Sequence, residues 1–162
     1  MTNELTITAE PGTPFIDTER AFDAPADLLY RAYTEPDLIA QWLGPRKYET
    51  IIDKFDARDG GEWRYINRGA DGEEFAFHGV FHAMSPDHLV QTFEFEGWPG
   101  HVSLETLTFE ERDGTTIVRT HSVYQSVEDR DGMVQSGMET GTREGYERLE
   151  EILGRLVPVA GR

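Results

Sequence analysis

The chain has 162 residues, 31 acids against 15 bases, a net charge of −16 and no cysteine. That length suits one domain, spanning 1–162, that buries a core without disulfides and has no thiolate metal site. The charge repels phosphate backbones and argues against nucleic acid as a partner.

Leu5 to Thr8 alternates briefly, and the turn-rich Glu10-Pro11-Gly12-Thr13-Pro14 breaks it. Phe15 to Phe22 reads as the first full strand. Asp23-Ala24-Pro25 starts a helix, with Asp23 or Ala24 expected at the cap and Pro25 in the first turn. Leu28, Leu29, Ala32 and Tyr33 share its apolar face, and Pro36 ends it. Thr34 with Asp37 resembles a capping box for a second short helix carrying Leu38, Ile39, Trp42 and Leu43, which Gly44-Pro45 stops.

From Tyr48 to Tyr124 the apolar period changes to two. Strands are expected near 47–56, 61–68, 73–84, 88–96, 101–110 and 115–124, separated by turns such as Asp59-Gly60-Gly61, Asp71-Gly72 and Asp113-Gly114. Short connections imply an antiparallel meander. Ser126 with Asp129 is a second capping-box candidate, opening a helical segment expected to break between Gly132 and Gly137. The last helix places Met138, Thr142, Gly145, Leu149, Ile152 and Leu156 on one face and ends at Pro158.

Gly137, Gly141 and Gly145 recur every fourth residue in this C-terminal helical region. Three interior glycines cost a helix roughly 2–3 kcal/mol against alanine. A bare stripe either lets another layer approach closely or leaves a hollow, and the sequence leaves both open. The order of elements gives an α+β fold: a curved antiparallel sheet, one long C-terminal helix across it, and two short helices closing one end. One helix does not fill a wide concave sheet, so an internal cavity is expected.

Several short motifs occur in a fixed order: Phe22-Asp23-Ala24-Pro25, Trp42-Leu43-Gly44-Pro45, Gly60-Gly61 and Phe77-His78-Gly79-Val80-Phe81. They are followed by Ser126 to Met133, Gly137-Met138, Gly141 and Glu147-Arg148-Leu149. Together, over about 15–156, they resemble the bacterial proteins named after the C-terminal domain of the heat-shock-protein-90 ATPase activator, within the START-like or SRPBCC superfamily. The resemblance implies a helix-grip fold with a hydrophobic pocket between sheet and helix. It implies little about activity, because superfamily members include lipid carriers, hormone receptors, polyketide cyclases and ring-hydroxylase subunits.

Ring-bearing residues alternate on three successive strands: Trp63 and Tyr65, then Phe75, Phe77 and Phe81, then Phe93 and Phe95. The expected ligand-binding set is Trp63, Tyr65, Phe77, Phe81, Phe93 and Phe95, with Leu104, Met138, Gly141 and Gly145. The facing of the strands at 73–84, 101–110 and 115–124 stays open, because Val80, Met84 and Leu104 make both faces apolar. His78 and His82 lie ~13 Å apart along one strand, too far to share a metal. No metal, no cofactor and no catalytic constellation is expected: there is no Gly-x-Ser-x-Gly elbow, His-Glu-x-x-His helix or phosphate loop. Glu94, Glu96 and Glu105 would serve as bases only if turned inward and desolvated, and solvation is the expected state of each. Tyr65, Tyr124 and Tyr146 are candidates to orient a ligand carbonyl.

The expected function is binding of a small hydrophobic or aromatic molecule. A cyclase- or hydrolase-like enzyme using the same cavity stays open, and a co-chaperone ranks third because the acidic surface offers no basic docking patch. Ile66, Val80 and Val118 are expected on an outer sheet face suited to a homodimer. No run reaches the ~18–20 apolar residues of a membrane span, and Met1 to Glu10 lacks signal-peptide order, so the expected address is the cytoplasm.

Overall fold

A computed structural model describes residues 3–157. In chain order its elements are β1 (Thr6–Thr8), β2 (Phe15–Phe22), α1 (Ala26–Thr34), α2 (Pro36–Trp42), β3 (Glu49–Phe55) and β4 (Glu62–Arg68). They continue with β5 (Glu74–Ser85), β6 (His88–Phe95), β7 (Val102–Arg112), β8 (Thr115–Val123), α3 (Val127–Gln135) and α4 (Met138–Leu156). The helix end expected at Pro158 lies outside the described residues.

All eight strands form one antiparallel sheet in the order β1-β2-β8-β7-β6-β5-β4-β3. Strands β3 to β8 are the expected meander. Its last strand pairs with β2, so the two short helices bridge from one side of the sheet to its far edge. The β7–β8 hairpin turns at Asp113 and Gly114, with φ of 54° and 81°. Two successive positive φ values match the right-handed strand twist, which is why Asp-Gly sits there.

The α1–α2 pair and the C-terminal half of α4 build a dense core on one half of the concave face. Leu28, Leu29 and Tyr33 of α1 meet Phe109 and Val118 of the sheet and Leu149, Ile152 and Leu153 of α4. The Trp42 indole N–H donates to the Ala32 carbonyl at 3.0 Å, locking α2 onto α1. The closest backbone neighbours of α4 are α2, α1 and α3 rather than any strand.

Local expectations met mixed outcomes. Ser126 caps α3, its hydroxyl accepting the Asp129 N–H at 3.0 Å. Pro25, not Asp23 or Ala24, is the N-cap of α1, and the free Ala26 N–H is taken by the Glu111 carboxylate at 2.8 Å. The Thr34–Asp37 capping box does not form. Helix α2 begins at Pro36, whose missing N–H needs no cap, and the Thr34 hydroxyl donates back to the Tyr30 carbonyl. Gly137 is not interior to a helix: with φ of 87° it is the left-handed junction between α3 and α4. Val118 belongs to the inner core and is fully buried, so the apolar outer face lacks it, while Val80 is 42% exposed.

Candidate functional site

Between the aromatic half of the sheet and the N-terminal half of α4 lies a cleft of about 830 Å³. That is within the ~300–1,000 Å³ range of small-molecule sites. Strand alternation sets its floor. The β4 residues Trp63 and Tyr65 face inward, and Phe75, Phe77, Phe93 and Phe95 follow on β5 and β6. Their rings pack in a continuous row: Trp63 stacks on Tyr65 at 5.6 Å, Tyr65 on Phe77 at 5.0 Å, and Phe77 contacts Phe95 at 5.2 Å. Gly79 lies opposite Trp63 in the sheet, and a Cβ there would come within 2.6 Å of the indole, so the missing side chain seats that ring.

The register shift between Phe81 and Ala83 settles the ambiguous facing of β5. Before it, Phe75, Phe77 and Phe81 line the cleft and Val80 points outward. After it, Met84 turns inward onto the core. The α3–α4 side of the cleft is Met133, Met138, Gly141, Thr142, Gly145 and Tyr146. At the rim, Trp98 stacks on His101 at 3.7 Å between ring centres, and His101 Nδ1 lies 2.9 Å from Asp129 Oδ2 of α3. Trp98 also borders Gly132 of α3, tying the β6–β7 turn to the helices.

Nine of the ten residues expected at the site border this cleft: Trp63, Tyr65, Phe77, Phe81, Phe93, Phe95, Met138, Gly141 and Gly145. Leu104 does not. It is 45% exposed on the convex face, because β7 turns Ser103, Glu105, Leu107 and Phe109 inward instead. The glycines serve packing as well as space. A Cβ on Gly145 would sit 3.1 Å from the Trp42 carbonyl, so α4 presses there on the end of α2. Gly141 has only Pro45 nearby, at 3.6 Å.

The sequence reading missed the polar band crossing the floor. Gln91, Glu105 and Ser122 are direct neighbours across β6, β7 and β8. The Gln91 amide donates to Glu105 Oε1 at 3.0 Å. Glu105, expected to be solvated, is turned inward. Burial pushes its carboxyl up, and hydrogen bonding by Gln91 and Ser122 only partly opposes this. Burial, followed by the negative charge of Glu105, also raises the Tyr65 and Tyr124 hydroxyls. In α1 and α4, the Tyr33 hydroxyl bonds the Tyr146 hydroxyl at 3.1 Å. Among the described residues Glu105 is the sole carboxylate of the lining.

The other candidates lie on the outer face. Glu96 is bound by Arg64 and His78, and Arg64 above all holds its carboxyl down to about 2. Glu94 lies 3.3 Å from His78. His121 pairs with Asp17 and His88 with Ser85. No group of three metal-ligating side chains occurs among the described residues, and none of their helices is long and apolar enough to cross a membrane.

This geometry is a helix-grip fold, and comparison with known proteins places it. The sequence profile of the family described as activator of Hsp90 ATPase homolog 1-like protein matches residues 23–154. The chain belongs to that family. Its structure is similar to that of a protein from Rhodobacter sphaeroides, 27% identical with a TM-score of 0.85 over 94% of this chain and 99% of the other. A protein of Mycobacterium smegmatis shares the fold at 23% identity, TM-score 0.83, covering 95% and 100% of the two chains. So does the AHSA1 protein of Silicibacter pomeroyi, at 17% identity and TM-score 0.71 over 88% and 99%. An uncharacterised Schizosaccharomyces pombe protein is 26% identical over 114 residues, which is 70% of this chain but only 30% of the yeast protein. The fold class is therefore that of the START-like superfamily.

Proposed function

We propose that this AHSA1-like chain works as one domain that binds a small, largely apolar or aromatic molecule in the cleft between sheet and α4. The observation carrying this reading is the ~830 Å³ space lined by a row of stacked aromatic residues. The aromatic side chains offer large apolar contact at little entropic cost, since their mutual stacking pre-orders them. Native mass spectrometry of the protein purified without denaturation tests it, with a retained apolar or aromatic compound expected. Substituting Gly141→Leu supplies the control. Its side chain meets only Pro45 near the backbone, so the variant should fold, lose part of the space and release the compound. Retention by the variant at wild-type level would sink the reading.

A second reading has one observation in its favour. A carboxyl turned into a ligand cleft and pushed up by burial is the setting in which enzymes place a general acid or base, and Glu105 meets that description. Turnover of a bound compound that stops in Glu105→Gln, with binding intact, would favour an enzyme over a carrier. The co-chaperone role suggested by the family description has no counterpart in the cleft chemistry.

A further inference from the structure

We propose that the cleft is selective for aromatic cations: planar ring systems carrying a protonated nitrogen, which pack against the β4–β6 aromatic row and donate an N–H to Glu105. This rests on the ligand-binding reading above and names its ligand class.

Three observations carry it. First, Glu105 is the single acidic group lining the cleft among the described residues, and it stands at the centre of the floor between Gln91 and Ser122. Secondly, nothing of opposite charge answers it from within the protein. Its bonded partners are neutral, the Gln91 amide and the Ser122 hydroxyl. Two cationic residues border the cleft. The Arg64 guanidinium is committed to Glu96 and Asp53, and the ammonium of Lys47, which is exposed, rests over the Tyr48 ring. Thirdly, the aromatic residues of β4 to β6 give the lining a large apolar surface against which a planar ring system packs, and among the described residues no second acid there competes with Glu105 for its nitrogen.

A carboxylate in such surroundings is costly alone and is best offset by a cation in direct hydrogen-bonded contact. A ligand with a protonated nitrogen supplies that contact while its ring system packs against the aromatic row. A neutral analogue keeps only the stacking. An anionic analogue, such as a fatty or aromatic acid, meets Glu105 head-on. The protein's overall negative charge acts in the same direction at longer range.

Three isosteric probes separate these outcomes: 1-naphthylmethylamine, 1-naphthalenemethanol and 1-naphthoic acid, titrated by calorimetry at about pH 7.5, where the amine is cationic and the acid anionic. The expected order is amine, then alcohol, then acid, with the amine roughly tenfold or more tighter than the alcohol. Glu105→Gln should bind the amine and the alcohol about equally.

Acidification of the wild type gives a readout independent of any variant. The groups facing Glu105 are Gln91 and Ser122 from β6 and β8, Tyr65 from β4, Tyr33 from α1 and Tyr124 beyond β8, and Tyr146 of α4 lines the same cleft. The amine preference should fade as the pH drops, above the ordinary carboxylate range, because burial raises the Glu105 carboxyl. An acid that binds as well as the amine would overturn the proposal, as would a preference that survives both Glu105→Gln and acid. Binding of none of the three probes would remove the aromatic-ligand reading itself and this proposal with it. Equal binding of all three would leave that reading standing and remove only the charge selectivity.

Discussion

Glu105 shows how one residue sets opposing demands on stability and function. Its folded-state carboxyl is raised by burial, so the folded protein holds that proton more tightly than the unfolded chain does. The associated stability is fully present below the unfolded carboxylate range and is lost as pH rises through the raised value. Wherever it is ionised, the inward group therefore works against the empty fold. Glu105→Gln keeps the shape and removes the charge. Its melting temperature should exceed the wild type's by a few degrees near pH 8 and match it near pH 4, as read by thermal unfolding across about pH 4–8. A variant that is less stable than the wild type at the alkaline end contradicts the assignment. The signal for Glu105 was present in the chain: Leu107 and Phe109, two and four residues on, share its face. It was obscured because Leu104 offers an equally apolar alternative register for the same strand, and a carboxylate is an unlikely inward residue on transfer energy alone. The aromatic residues were legible for the opposite reason, since their alternation on β4 to β6 has no competing polar term.

At the scale of elements, punctuation by turn residues made the meander readable almost to the residue, whereas the caps depended on geometry that composition does not carry. Arg130 illustrates the difference. It is 3% exposed in α3 and donates to the Glu10 and Phe15 carbonyls at 3.0 and 3.3 Å, with Asp131 beside it. That clasp fixes α3 to the start of β2 and was invisible from local patterning because its partners lie more than a hundred residues away. Arg130→Ala should cost about 2–3 kcal/mol, with faster amide exchange in α3 and in the loop before β2; urea unfolding and hydrogen exchange check both. The glycines of α4 make a contrasting pair. Gly154 is exposed, and a Cβ there would meet nothing within 4 Å, so Gly154→Ala should stabilise by about 0.5–1 kcal/mol through helix propensity. Gly145 abuts the Trp42 carbonyl, so Gly145→Leu should destabilise by about 1–3 kcal/mol or more. The fourfold glycine spacing thus arose from two causes, a left-handed junction at Gly137 and a close approach at Gly145, which sequence alone could not separate.

For the whole molecule, the charge of −16 outweighs its many exposed ion pairs. Surface pairs such as Arg31–Glu35 and Arg46–Glu151 are each worth about 0–1 kcal/mol, while the excess of acids repels itself across the entire surface. Added salt screens both, and relief of the net repulsion should dominate. The melting temperature is expected to rise between roughly 20 and 500 mM sodium chloride; a fall would mean that the ion pairs matter more than the excess charge. The division of α4 has a kinetic consequence. Its C-terminal half is anchored in the dense core by Leu149, Ile152 and Leu153, whereas its beginning, hung from the left-handed turn at Gly137, borders empty space. For a guest bound as proposed, release needs only a brief outward excursion of the first turns of α4, since the Arg130 clasp holds α3 against β2. Residence time should track that brief excursion, lengthening when the Gly137 joint is stiffened and leaving overall stability almost untouched.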